Sequence, residues 1–294
     1  MSSSSSSSAS SPKTVLVVGN LLPTPRTRYI LQPQPPILVQ CAGGANRGIG
    51  NQLATRFLKG NYTVHGTVRP ETRQDPSVHQ LGAKGAKILE LDLLDEKSIV
   101  QAAEDFGHAQ PLDILINVAG TWSWAPAMSF RLLVRISTDD DETGLYYLWD
   151  DKPFSEQSAD DLVQHFKVNV VGPFMVSKAF LPSLSLSTSA KIINISSDFA
   201  SIAGGNACYR ISKAAVNQLT KNMAVDLEKK SSASTSTTTG GQNSIKTLAV
   251  HPGYVATKMT GYIGEDDMET CMAGLVGVIE RFGTVEGADL PNGG

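Results

Sequence analysis

The 294-residue chain has few cysteines, no long apolar run and no excess of charge of either sign, and each scarcity excludes a class of protein. Its three cysteines are too few and too widely spaced for a disulfide framework or a zinc site. No stretch approaches the roughly 18 consecutive apolar residues of a membrane-spanning helix. The formal net charge is only −3, so nothing favours nucleic acid or an anionic membrane surface as a partner. These features predict a metal-free protein of a reducing, cytoplasmic compartment.

Four stretches of biased composition interrupt an otherwise regular pattern. Nine of residues 2–11 are serine, so residues 1–12 are predicted to form a disordered tail. The remainder, 13–294, is short enough to be one domain. Three stretches within it are interpreted as insertions, namely the proline-rich residues 20–36, residues 130–153 with their acidic centre, and the Ser/Thr-rich loop 231–244.

Between these stretches, short apolar runs alternate with helical patterns. The strand candidates are Tyr62–Val68, Lys87–Leu91, Ile114–Asn117, Lys191–Ile195 and Thr247–Val250. Helices are predicted from residue 49 to a C-cap at Gly60, and over Ser98–Phe106, Ala159–Leu181, Tyr209–Leu227 and 266–281. Continuously apolar strands are typical of a sheet covered by helices on both faces. The pattern therefore predicts a single-domain α/β protein with a Rossmann-like, doubly wound parallel sheet of six or seven strands, the last one incomplete.

The first strand has two candidates. Residues 14–19 have the better β composition, whereas residues 37–42 run directly into a glycine-rich sequence. Deleting residues 20–43 would join KTVLVVG to GANRGIG, so this segment is itself interpreted as an insertion.

In such a sheet the ligand crevice lies at the carboxyl ends of the strands. The loop GANRGIG, Gly44 to Gly50, stands there ahead of the first helix. Its glycines permit close approach to a pyrophosphate, and the helix N-terminus supplies N–H donors; an ordinary strand–helix turn is the alternative. Arg69 after the second strand and Arg47 in the loop suit the 2′-phosphate of NADP(H), unless both are simply solvated. Taken by itself, Asp92 after the third strand is interpreted as an ordinary loop or N-cap residue.

A second set of polar residues follows the fourth and fifth strands. Ser197 ends the fifth strand, and Tyr209 and Lys213 share one helix face at positions i and i+4. An ammonium near the phenol is expected to lower the pKa of Tyr209 below its usual value of about 10, which would make it a general acid or base near neutral pH.

These motifs together give the chain its resemblance to the classical short-chain dehydrogenase/reductase family. The resemblance covers roughly residues 44–120 and 155–260, with GANRGIG, Asp92-Leu93, NVAG, ISS, YRISK and HPGYVAT in order. Within the family, TVRP, YRISK and HPGYVATKM are most similar to the C-factor-like carbonyl reductases.

The resemblance implies an NADP(H)-dependent oxidoreductase acting on a small carbonyl or alcohol. Tyr209 would be the general acid or base, Lys213 would lower its pKa and bind the nicotinamide ribose, Ser197 would orient the substrate oxygen, and Asn169 would hold a proton-relay water. The residues that would contact the cofactor are Gly44, Asn46, Arg47, Gly48, Ile49, Gly50, Arg69, Asp92, Leu93, Asn117, Ala119, Gly120, Tyr209, Lys213, Pro252, Gly253, Val255 and Thr257. Family members also pair the helices that begin near Ala159 and Tyr209 into homodimers or homotetramers.

Some features depart from the family pattern. Ser197 lies one residue nearer to Tyr209 than is usual, which leaves Ser196 as an alternative. The tail after residue 281 lacks a convincing seventh strand. The insertions leave open a non-catalytic NADP(H)-binding regulatory or signalling protein, although the intact Ser, Tyr, Lys and Asn favour the enzyme. His251 is interpreted as a strand-end residue without a catalytic role, and the sequence does not name the substrate.

Overall fold

The computed structural model describes residues 38–42, 44–118, 120, 133–134, 146–147, 154–233 and 244–283. The predicted tail, the candidate strand 14–19, the proline-rich stretch and most of 130–153 lie outside the described residues, as does Ala119.

Short strands alternate with helices along the described chain. The strands are β1 (Leu38–Ala42), β2 (Thr63–Val68), β3 (Lys87–Glu90), β4 (Ile114–Asn117), β5 (Leu133–Val134), β6 (Tyr146–Tyr147), β7 (Lys191–Ile195) and β8 (Lys246–Val250). The helices are α1 (Gly48–Lys59), α2 (Pro76–Ala83), α3 (Glu96–Phe106), α4 (Ala159–Phe166), α5 (Gly172–Ser185), α6 (Ala207–Ala233) and α7 (Met268–Arg281). No helix in this described part of the chain is long and apolar enough to cross a bilayer.

Six of the strands form one parallel sheet in the order β3-β2-β1-β4-β7-β8. The order reverses beside β1, which pairs with β2 on one side and with β4 on the other. This is the doubly wound topology that the alternating pattern predicts, and such a sheet has its ligand crevice outside the carboxyl ends of β1 and β4. Of the two candidates for the first strand, Leu38–Ala42 therefore lies in the sheet. The pair β5 and β6 forms a separate antiparallel ribbon.

The core lies on both faces of the sheet. Each residue of β4 and β7 is buried because helices cover both sides. Leu53 and Phe57 of α1 and Phe180 of α5 pack against these strands with almost no exposed surface. Burying a side chain of this size stabilises the fold by about 1.5–3 kcal/mol relative to leaving it in water.

A buried polar chain ties the strands next to the crevice to the helices behind them. Asn117 at the end of β4 donates from Nδ2 to Asn194 Oδ1 (2.7 Å) and to Ser177 Oγ (3.2 Å). Asn194 in turn donates to Thr220 Oγ1 of α6 across 2.9 Å. Burying polar side chains costs free energy unless they are hydrogen-bonded to one another. These hydrogen bonds therefore fix the relative position of β4, β7, α5 and α6.

Three helix predictions need correction. The single helix predicted over 159–181 is interrupted by the π-helical segment Lys167–Val171, which separates α4 from α5. Helix α6 continues to Ala233, so the first residues of the predicted loop 231–244 are helical. Helix α2 was not predicted because its only buried apolar residues are Val78 and Leu81, too few for a periodic pattern. The strands Ile114–Asn117 and Lys191–Ile195 and the C-cap at Gly60 are confirmed.

Candidate active site

The glycine-rich loop connects β1 to α1 at the carboxyl edge of the sheet. Gly44 and Gly48 have φ of +116° and +52°, a region that favours glycine. Gly50 packs so tightly that a Cβ there would lie 2.5 Å from the Gly44 carbonyl oxygen. Arg47 at the N-cap forms no side-chain cap, so the first N–H groups of α1 are left for an anion in front of the helix.

The space on the Cβ side of Gly44 is open. No described heavy atom lies within 4 Å of a Cβ built on Gly44, whereas a Cβ on Gly48 would be 3.7 Å from Thr257 Cγ2. The segment after β8 therefore forms the opposite wall. Asn46 is buried and donates from Nδ2 to Ser77 Oγ at 3.1 Å, which fixes the loop against α2, and Ile49 packs on the core. A glycine cradle with uncapped helical N–H groups is what a pyrophosphate needs.

Arg69, immediately after β2, is engaged in an ion pair. Its Nη1 lies 2.7 Å from Glu71 Oε1, and both side chains are about half exposed. Arg47 of the glycine loop is also exposed. Exposed ion pairs contribute little, typically 0–1 kcal/mol, so Glu71 is a weak competitor for a ligand phosphate.

The segment after β3 presents one carboxylate and one packed leucine. Asp92 accepts the N–H of Leu94 at Oδ1 (2.9 Å), and its own N–H donates to Ser98 Oγ (2.9 Å). This turn precedes α3, as the loop interpretation expects. Leu93 packs on α5, since a Cβ on Gly172 would lie 3.0 Å from Leu93 Cδ2. The Leu93 side chain thus faces the helix, which leaves its backbone for the predicted cofactor contact.

Two further predicted cofactor residues use their side chains elsewhere. Asn117 donates from Nδ2 to Asn194 and Ser177, and its side chain is buried. The Val255 side chain is buried in the core, and its backbone forms a β-bridge with Asp266. Their predicted contacts with the cofactor are therefore left to backbone atoms. Pro252 and Gly253 form the turn after β8, where Gly253 has φ +77°. Thr257 caps the short helical turn Lys258–Thr260 and accepts the N–H of Thr260.

The strand end of β7 and the start of α6 bring three predicted residues together. Tyr209 is buried, and its phenol shares a hydrogen bond with the Ser197 side chain. The Lys213 ammonium lies 5.7 Å from the centre of the Tyr209 ring and donates to the Ile195 carbonyl at 2.8 Å. The alternative Ser196 is buried with its Oγ 3.5 Å from the Lys213 carbonyl, so Ser197 is the serine at the phenol.

Asn169 completes the cluster from the π-helical segment. It is buried, and its Nδ2 donates to Ser212 Oγ at 2.9 Å, while that hydroxyl donates to the Tyr209 carbonyl at 2.7 Å. A Cβ on Gly120 would lie 3.4 Å from Lys213 Nζ and 3.7 Å from Asn169 Oδ1. Gly120 at the end of β4 thus meets both polar groups, and single-turn π segments are frequent at functional sites.

The electrostatics correct one expectation. Burial raises the pKa of Tyr209 above its usual value, the Ser197 hydrogen bond opposes the rise, and the Asp198 carboxylate adds to it. The predicted lowering by Lys213 is wrong for these surroundings, because loss of water around the phenolate outweighs an ammonium at 5.7 Å. Burial also lowers the pKa of Lys213 to about 8.

Sequence reasoning missed two neighbours of Ser197. Asp198 accepts the Ser197 hydroxyl at Oδ1 (2.9 Å), and its backbone N–H donates to His251 Nδ1 (3.0 Å). Adjacency to Ser197 was the one available signal for Asp198. Nothing in the sequence places His251, 53 residues further on, beside it.

Comparison with known proteins places the chain in one family. The family model described as short chain dehydrogenase matches residues 39–268. A 2-(R)-hydroxypropyl-CoM dehydrogenase from Xanthobacter autotrophicus is 30% identical over 225 residues, covering 74% of each chain. The C-signal protein of Myxococcus xanthus is 26% identical over 193 residues, covering 62% of this chain and 93% of its own.

Solved structures agree. An NADPH-bound carbonyl reductase from chicken fatty liver superposes with a TM-score of 0.56 at 25% identity, over 79% of this chain and 84% of its own. An NADP-bound Burkholderia multivorans protein gives a TM-score of 0.64 at 24% identity, over 82% and 90%, a likeness of fold alone.

Proposed function

The chain belongs to the short-chain dehydrogenase family, and from that premise we propose that it is an NADP(H)-dependent oxidoreductase interconverting a small carbonyl compound and its alcohol. The observation that carries this proposal is the buried Tyr209 phenol, hydrogen-bonded to Ser197 and flanked by the Lys213 ammonium. An acid or base, an oxygen-orienting hydroxyl and a positive charge stand together at the mouth of a dinucleotide crevice. Binding a cofactor alone does not require that combination, whereas proton transfer to a carbonyl oxygen does.

Tyr209 is the proton donor in the reductive direction. Because burial holds its pKa high, the phenol keeps its proton at neutral pH and gives it to the carbonyl oxygen as negative charge develops there. In the oxidative direction the same residue must first lose that proton, so alcohol oxidation needs more alkaline conditions.

Ser197 orients the reacting oxygen, and Lys213 stabilises the phenolate left on Tyr209. The Ser197 hydroxyl donates to Asp198 in the structure, so a bound carbonyl oxygen must draw that hydrogen bond to itself. In this proposal Lys213, whose Nζ lies close to Gly120, also binds the nicotinamide ribose. Asn169 fixes the start of α6 through Ser212 and in this proposal holds the water that returns the proton to Tyr209.

NADP(H), when bound, supplies the hydride, and the chain supplies its place and orientation. The residues present fit it: the glycine cradle and the uncapped N-terminus of α1 for the pyrophosphate, and Arg69 with Arg47 for the 2′-phosphate. The NADPH in the chicken carbonyl reductase supports this choice of cofactor.

We further propose a homodimer or homotetramer built on α4, α5 and α6. Val163, Phe174 and Ile211 on these helices are each nearly half exposed, and a partner copy would cover them in this assembly. Light scattering at micromolar concentration tests the assembly, and a species of only 31.3 kDa would contradict it. The acidic residues 139–142, which could cover this face, lie outside the described residues. The cytoplasmic location stays a prediction.

The oxidoreductase proposal is tested by NADPH oxidation with a panel of uncharged ketones and aldehydes, alongside calorimetric NADPH binding. We expect turnover of at least one carbonyl compound. NADPH affinity without turnover of any compound would instead favour the non-catalytic, regulatory alternative.

A further inference from the structure

His251 joins the two loops that border the reacting groups. It follows β8 directly, just before the Pro252-Gly253 turn, and its Nδ1 accepts the backbone N–H of Asp198 at 3.0 Å. Asp198 begins the short helical turn Asp198–Ala200 that follows β7, and Ser197 is the N-cap of that turn. The imidazole thus holds the turn that presents the Ser197 hydroxyl.

The hydrogen-bond pattern defines the charge state of the imidazole. Nδ1 can accept an N–H only when its lone pair is free, so His251 in this arrangement is neutral with its proton on Nε2. Burial lowers the pKa of His251, while the carboxylates of Asp198 and Asp266, which face it from the two loops, act in the opposite direction.

Resting on the proposed function, we propose that neutral His251 is a positioning residue of the oxidoreductase reaction: by anchoring the Asp198 N–H it holds the Ser197 hydroxyl against Tyr209. The Ser197 Oγ is surrounded by groups of the same turn, since it accepts the Phe199 N–H at 3.2 Å and donates to Asp198 Oδ1 at 2.9 Å. Movement of Asp198 therefore moves the hydroxyl.

Acid breaks this anchor. A proton on Nδ1 removes the hydrogen-bond acceptor and repels the Asp198 N–H. The charged ring also attracts Asp198 Oδ1, which lies 3.6 Å from Nδ1. That oxygen already accepts the Ser197 hydroxyl and the Phe199 N–H. The turn must then rearrange, so activity acquires an acid limb governed by His251 together with Asp198 and Asp266.

Two substitutions separate anchoring from charge. The amide oxygen of Asn lies close to the position of Nδ1 and accepts an N–H at any pH, whereas Ala offers no acceptor. We expect His251→Ala to lower kcat about tenfold, the scale of one lost hydrogen bond, while KM for NADPH changes less than about twofold. His251→Asn should keep most of kcat at about pH 7.5 and should lose the fall in kcat that the wild type shows at acid pH. The matched control is His108→Asn, an exposed histidine at the opposite edge of the sheet.

A second measurement needs no turnover and so tests the anchor independently of the proposed function. Amide hydrogen exchange by NMR should show a protected Asp198 N–H in the wild type and in His251→Asn, and rapid exchange in His251→Ala. An equally protected Asp198 amide in His251→Ala, or an acid limb that survives in His251→Asn, would overturn the proposal. Absence of turnover in the wild type would instead overturn the proposed function.

Discussion

The Lys213 ammonium lies 5.7 Å from the centre of the Tyr209 ring, and both side chains are almost completely removed from water. Burial acts on them in opposite ways, because it disfavours the charged form of each. It raises the pKa of the phenol and lowers that of the ammonium. Tyr209 therefore keeps its proton at neutral pH, as the proposed donation to a carbonyl oxygen requires.

Tyr209→Phe should abolish turnover and leave NADPH binding unchanged. The substitution removes the phenolic oxygen and keeps the ring that packs 6.1 Å from Phe199, centre to centre. General acid catalysis contributes roughly 10²–10⁴-fold, so the rate should fall at least that far. Steady-state rates and calorimetric binding measure the two effects, and a residual rate above about a tenth of the wild type would assign the proton to another group.

The pH dependence of carbonyl reduction should report Lys213. Its ammonium stabilises the phenolate that Tyr209 becomes, and its pKa is about 8, so kcat/KM should fall as the pH rises through that value. Lys213→Arg keeps a positive charge at every accessible pH and should move the limb upward by a unit or more, even if the larger side chain near Gly120 lowers the rate itself. Circular dichroism checks folding. A limb unchanged in Lys213→Arg would show that another group titrates there.

Local sequence patterns predicted the sheet and the polar cluster because both depend on short-range geometry. Ile114–Asn117 and Lys191–Ile195 are short apolar runs with clear boundaries, and a four-residue spacing places Tyr209 and Lys213 on one helix face in any fold. The glycine loop could also be predicted from the sequence. The glycines that its backbone conformation and close packing require all lie within one stretch of seven residues.

What sequence reasoning missed depends on contacts between distant segments. The direction of the Tyr209 pKa shift is set by burial beside Phe199 and His165, which no local pattern encodes. The side-chain partners of Asn117 lie 60 and 77 residues away and were not predicted, whereas its contact with the cofactor stays a prediction. The His251 contact with Asp198 is of the same kind.

Acid should destabilise the fold through His65. This side chain of β2 is buried against Phe106, and among the described residues neither ring nitrogen has a hydrogen-bond partner. Burial, with a smaller effect of Lys87, lowers its pKa to about 3.

The sign follows from proton binding. Below about pH 6.5, the usual pKa of histidine, His65 takes up a proton in the unfolded chain but not in the folded protein. The stability that is present above this pH is therefore lost as the pH falls toward 3. At about pH 4.5, two pH units below the unfolded value, the loss should be about 2.7 kcal/mol. Urea unfolding of His65→Leu should show this part of the acid limb removed, with exposed His108→Leu as control. An unchanged limb in His65→Leu would place the acid sensitivity elsewhere.

The choice between NADPH and NADH rests on Arg69 and its partner Glu71. The 2′-phosphate of NADPH carries nearly two negative charges, and a guanidinium bonded to it contributes about 1.5–3 kcal/mol, or one to two powers of ten in affinity. Glu71 holds Arg69 in an exposed pair worth no more than about 1 kcal/mol, so the phosphate should win the exchange. We expect NADPH to be preferred at least tenfold in kcat/KM.

Two substitutions at this pair should move the preference in opposite directions. Arg69→Asp should erase most of it, chiefly by weakening NADPH. Glu71→Gln frees the guanidinium from its competitor and should strengthen the preference by up to about fivefold, the equivalent of the ion pair it removes. Arg73→Gln is the matched control, because Arg73 pairs with Glu90 rather than Glu71 and carries the same charge close by in the chain. Rates with both cofactors, measured at fixed ionic strength, decide the matter: equal use of NADPH and NADH by the wild type would mean that Arg69 stays with Glu71 and never reaches the ribose.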